Sequence, residues 1–224
     1  MKLPNRPQEP VPYPKVATPV LSGIAALMAL VLWLAPLEQT LGAGIKIVYI
    51  HVALIWTGMA QLAAAGILGL ILLITESPGV QNWLTTISRV GFAFLTAAVI
   101  ASLWAEIVNW GGILWSEPRT RALLQLLAVA LIARVLHSWV RQPRIQGVLH
   151  LFVALLLAAS TLFVPRFFHP DDPIGNSSAA AIQLTFYSLF SLCFIAGLWI
   201  MGYIHQNHVA LPPERLLADH STGS

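Results

Sequence analysis

The stretch IVYIHVALIWTGMAQLAAAGILGLILLIT, Ile47–Thr75, decides the class of this protein. It holds no Asp, Glu, Lys or Arg. As a helix rising about 1.5 Å per residue it reaches roughly 43 Å, against a bilayer core of ~30 Å. Such a helix either tilts strongly or lifts its first turns out of the lipid, carrying Tyr49 and His51 to the interface. The rest of the chain agrees. Of its 224 residues 57% are hydrophobic and only 9% charged, and the mean hydropathy is +0.76. Soluble domains carry roughly 25% charged residues, so this chain has too few to cover a solvated surface. The reading is an integral membrane protein.

The formal charge of +3 and the pI near 9.4 come from Lys and Arg near the ends of apolar runs. That is membrane-flank usage, and it gives no clustered basic face for nucleic acid. Cys193 is the single cysteine and lies in the last apolar run. It excludes an intramolecular disulfide, C-x-x-C redox chemistry and C-x-x-C-H haem attachment, and it reads as an inert buried thiol. The polar, proline-rich opening MKLPNRPQEPVPYPK and the long run after it lack a small-residue cleavage signature. The first helix is therefore expected to be retained.

Six spans are expected, at about Val16–Pro36, Ile47–Thr75, Leu84–Val108, Ala122–Val140, Val148–Pro165 and Phe186–Ile204, lengths suited to the ~20 residues a bilayer requires. The predicted fold is all-α, one bundle of six transmembrane helices. It comprises an N-terminal tail (1–15), the membrane domain (16–205) and a C-terminal tail (206–224). Lys2, Arg6, Lys15, Arg141, Arg144 and Arg215, with Arg89, then lie on one side, against Lys46, Arg119, Arg121 and Arg166 on the other. This bias predicts cytoplasmic termini. Three connectors then face outward: Leu37–Lys46, Asn109–Arg121 and Arg166–Thr185.

The second of these, NWGGILWSEPRTR, concentrates chemistry that the rest of the chain lacks. His51 and His169 are expected at the same surface. Two neutral imidazoles from separate elements can ligate a haem iron from above and below. Interfacial tryptophans such as Trp110 and Trp115 can stack on a macrocycle, and Arg119 can pair with a propionate. Glu117 can orient Arg119 or an imidazole. Gly111 and Gly112 can let backbone approach a flat ligand. Plainer readings stand beside these: tryptophan belts occur in any membrane protein, a glycine pair ends helices, and FFHPDDPIG can be a turn.

The segment KIVYIHVALIW, Lys46–Trp56, resembles the opening of the second helix in the CcmC/CcsA haem-handling family of cytochrome c biogenesis. WGGILWSEPR, Trp110–Arg119, stands where that family carries its tryptophan-rich "WWD" loop. The resemblance covers roughly Ile45 to the end of the sixth span. It implies haem b held non-covalently at the outer face of the cytoplasmic membrane, with His51 and His169 as axial ligands of the iron. Trp110, Gly111, Trp115, Glu117 and Arg119 would form the surrounding shelf. It further implies delivery of haem to a periplasmic haem chaperone or apocytochrome, alongside subunits of an ABC-type haem exporter, within membrane lipid. No bond-making catalysis is expected.

Departures from the family pattern are Ala53 for a proline, Ile113–Leu114 for an aromatic pair, Glu117 for an aspartate, and DDPIGNSS in the His169 loop. They motivate an alternative from another class: a haem-free, family-derived structural or assembly subunit of a larger membrane complex. His137 and His150 flank the connector RQPRIQG and raise the question of a second, inner haem. Arg134, His137 and Arg141 at helical spacing read equally as snorkelling cations.

Overall fold

The computed structural model describes residues 13–165, 174 and 177–209. Six helices follow one another: α1 Tyr13–Leu34, α2 Ile45–Thr75, α3 Pro78–Trp110, α4 Pro118–Trp139, α5 Pro143–Phe163 and α6 Ala180–Val209. All six are long and apolar enough to cross a membrane. No β-strand occurs among the described residues; the pairing of Glu38 with Gly42 is an isolated bridge. The all-α six-helix membrane bundle is therefore what the chain forms. Backbone groups are satisfied within each helix, as a lipid solvent demands.

The helices outrun the apolar windows that announce them. α3 begins at Pro78, so polar Gln81 and Asn82 are helical, and α4 and α5 begin at Pro118 and Pro143. Proline suits the first turn, where its missing N–H would have had no helical partner. At the far end α6 continues to Val209, beyond the boundary expected at 205. Nothing in His205–Val209 breaks a helix, and the next prolines are Pro212 and Pro213. The connector after α3 shrinks accordingly. Trp110 closes α3 and Arg119 lies in the first turn of α4, leaving 111–117 between them.

α2 is the axial helix, packed on α3, α5 and α6, while α4 leans on α3 and α5 and α1 packs on α6. Lipid tails are as apolar as leucine, so close packing and hydrogen bonds hold such helices together. α2 and α5 approach closely at a pair of glycines. A Cβ built on Gly69 would stand 2.6 Å from the Gly147 carbonyl oxygen, and the converse holds. Leu62, Leu95, Leu126, Ala130, Val153 and Leu157 fill the space between α2, α3, α4 and α5. Trp56 meets Phe186 and Phe190 edge to face, joining α2 to α6.

Candidate functional site

The α3–α4 connector is built from its two helix ends inward. Gly111 terminates α3 in the left-handed region, φ 76°, and its N–H donates to the Ile107 carbonyl at 3.0 Å. A Cβ there would be strained, which is why glycine stands at this position. Glu117 caps α4, its carboxylate accepting from the Arg119 N–H at 3.4 Å. Acidic groups suit a helix N-terminus, where the macrodipole is positive. Glu117 is fully buried.

A second carboxylate holds the connector from below. Glu106, on the last turns of α3, is 1% exposed. Its Oε2 accepts the Leu114 N–H at 2.8 Å, and its Oε1 accepts the Thr120 hydroxyl. One side chain thus ties the connector and the first turn of α4 to the end of α3. Glu106 is thus neither solvated nor paired with Arg121. The Arg121 guanidinium donates instead to the Ser116 carbonyl at 3.0 Å. An acid inside an apolar run was the available signal for a buried role.

Trp110 and Trp115 are exposed, at 40% and 62%. Gly111 and Gly112 open onto empty space on the side where a side chain would project. Asn109 donates to the Gly44 carbonyl at 3.4 Å and to Ala105 at 2.9 Å, linking the end of α3 to the start of α2. The first connector is compact in its own right. Glu38 accepts from the N–H groups of Thr40 and Leu41, both at 2.7 Å, and Lys46 donates to the Trp33 carbonyl at 3.2 Å. The Leu41 N–H foremost holds the Glu38 carboxyl below its ordinary value; desolvation pulls it upward less strongly, and the Thr40 N–H and hydroxyl lower it further.

His51 is half-buried, about two turns or roughly 10 Å below Gly44 along α2. Its Nδ1 lies 3.4 Å from the Ala98 carbonyl of α3. A carbonyl can only accept, so the ring donates from Nδ1, and Nε2 carries the lone pair. His169, named with it as an iron ligand, lies outside the described residues. Arg119 is half-buried beside Glu117 in the opening turn of α4.

The opposite end holds a polar network that the sequence marked only as two histidines. His137 and His150 are buried, with Nε2 of His150 3.1 Å from Nδ1 of His137. Nε2 of His137 lies 3.0 Å from the Thr85 hydroxyl, which donates to the Gln81 carbonyl at 2.9 Å. One assignment satisfies every contact: His150 donates to His137, His137 to Thr85, and Thr85 to Gln81, with both rings neutral. Gln146 adds bonds to the carbonyls of His137 and Val140 and accepts from Gln81. Both nitrogens of His137 are engaged. The 3.1 Å between Nε2 of His150 and Nδ1 of His137 is also too short for an iron held between the two rings, since each metal–imidazole bond is about 2.0–2.1 Å. These rings do not fit an inner haem.

No protein-family model matches this chain, and no curated protein matches it.

Proposed function

We propose that the chain binds haem b non-covalently at the α3–α4 end of the bundle and hands it on during cytochrome c maturation. In this reading the site faces the outside of the cytoplasmic membrane. The observation that carries it is His51. An imidazole whose Nδ1 donates to the Ala98 carbonyl would ligate through Nε2, the arrangement that orients metal-binding histidines generally. The exposed Trp110 and Trp115 and the open side of Gly111 and Gly112 supply flat apolar surface at the same end. Arg119, in the first turn of α4, would pair with a propionate.

When bound, the haem supplies a low-spin iron as cargo; the chain's own residues grip, orient and release it. Glu106 keeps the shelf in place by holding Leu114 and Thr120. His169 would be the second axial ligand, and a periplasmic chaperone and exporter subunits the partners. Purified protein is expected to show a low-spin Soret band that shifts on dithionite reduction. His51→Ala and His169→Ala should each lose or broaden it. Equal haem content and unchanged spectra in both variants would contradict the assignment.

One observation favours a second reading. Only 6% of the membrane-spanning window of α1 is buried. A helix so uncovered suits a haem-free assembly subunit with neighbours in a larger complex. Haem-free protein that co-purifies in fixed ratio with other membrane subunits would favour it.

A further inference from the structure

α1 packs on α6, and the seam between the two helices does not close along its whole length. A groove of about 460 Å³ opens between Thr18, Ser22 and Ala25 of α1 and Trp199, Ile200 and Tyr203 of α6. None of the residues lining it carries a charge.

Depth orders these residues. The apolar span of α1 begins at Ala17 and that of α6 ends at Gln206, so Thr18 and Tyr203 lie within one turn of the same membrane boundary. Tyrosine is enriched at that level. Ala25 stands eight residues beyond Ala17, about 12 Å deeper. The groove thus runs from the interface into the hydrocarbon, with hydroxyls at its mouth and Ala25 at its deep end.

A hydroxyl in hydrocarbon needs a hydrogen-bond partner. Helical threonines elsewhere find one on their own backbone: Thr57 donates to Ala53, Thr96 to Phe92 and Thr161 to Leu157. Those of Thr18 and Ser22 border the groove, where an occupant bearing acceptors can take them.

Size chooses between occupants. Over the roughly 12 Å from Ala17 to Ala25 the volume gives a mean cross-section of about 40 Å², whereas a helix 10–12 Å across needs about 80–110 Å². A partner helix does not fit between the walls; a hydrocarbon chain does. The occupant is therefore thin and apolar at depth, uncharged along the walls, and carries acceptors near the interface. We propose that this groove is a phospholipid site, in which one acyl chain lies between α1 and α6 and the ester carbonyls accept from the hydroxyls at the mouth. The lipid completes the seam that holds α1 to the bundle. It is independent of the haem reading and lies away from the α3–α4 connector.

The test counts lipid on the full chain in detergent by native mass spectrometry, with added dioleoylphosphatidylethanolamine or dioleoylphosphatidylglycerol. Both should bind alike, because the walls carry no charge. Ser22→Leu and Ala25→Leu fill the groove and should each weaken binding about tenfold, whereas Ala26→Leu, on the same helix outside the lining, should not. Thr18→Val keeps the shape but loses the hydroxyl, and should weaken binding about threefold, as one hydrogen bond is worth. In the wild type, a phosphatidylethanolamine with a mid-chain diazirine should label α1 near Ala25 and α6 near Ile200 ahead of the other helices. That arm uses no variant, so it decides even where a substitution disturbs folding. Binding unchanged in both Ser22→Leu and Ala25→Leu, or labelling spread evenly over the six helices, would overturn the proposal, as would binding confined to phosphatidylglycerol.

Discussion

Gly69 of α2 and Gly147 of α5 meet backbone to backbone, each leaving no room for a methyl group beside the other's carbonyl oxygen, at 2.6 Å. Main chain cannot swing aside as a side chain can. Gly69→Ala and Gly147→Ala should therefore each destabilise the protein by about 1–3 kcal/mol, the usual range for overpacking. A methyl group on Gly23 of α1 would meet nothing within 4 Å, so Gly23→Ala should leave the melting temperature unchanged or higher. Thermal unfolding in detergent measures all three. Equal effects at the three positions would mean the α2–α5 contact is not what the glycines serve.

Glu106 should matter more to the connector than to the bundle. Glu106→Leu strands the Leu114 N–H and the Thr120 hydroxyl, at about 1–3 kcal/mol for each buried group left without a partner. Glu106→Gln keeps an acceptor for Leu114 and should cost less. Hydrogen exchange at the Leu114 amide reads the difference. Protection that persists in Glu106→Leu would show that the carboxylate does not hold the connector.

Gln61 presents the reverse case. It is 2% exposed at the middle of α2, and neither its amide nitrogen nor its amide oxygen has a hydrogen-bond partner among the described residues. It faces Gly197 of α6 and Gly91 of α3, either of which a larger residue would force against it. A buried amide without partners costs about 1–3 kcal/mol, so Gln61→Leu should unfold at the same or a higher temperature. A clear fall in the melting temperature would mean the amide has a partner that binds it in the working protein.

Glu38 gives a pH dependence with a definite sign. Its folded carboxyl titrates below the ordinary 4.5, because the Leu41 and Thr40 N–H groups favour the ionised form. A depressed acid stabilises the fold above its unfolded value, and that contribution fades as pH falls through the lower folded value. The turn at 38–42 should therefore loosen only below about pH 4.5. Amide exchange at Leu41 measured downward from neutral pH tests it, and Glu38→Gln should flatten the profile. Loosening that begins near pH 6 would point to another group.

The six spans were legible because lipid makes one demand of every residue in a span, and hydropathy reports it directly. Helix ends were less so: Gln81, Asn82 and His205 are polar yet helical, since a backbone hydrogen bond does not depend on the side chain being apolar. The site was legible as an assortment of residue types, and its geometry was not. Arg119 and Trp110 are helical rather than looped, because Pro118 opens a helix instead of breaking one. The coupling of Glu106 to Thr120 crosses two helices and has no periodicity to announce it. The same holds for His137 and His150, whose shared hydrogen bond spans the α4–α5 turn.

The position of α1 bears on how the molecule is made. It leaves the ribosome well before the helix it packs on, α6, is synthesised. Until α6 has been made it must persist as a lone hydrocarbon rod, tolerated by the bilayer on hydropathy alone. Closing that edge of the bundle then waits for α6, and any clipping of the chain before Ala180 would leave α1 adrift.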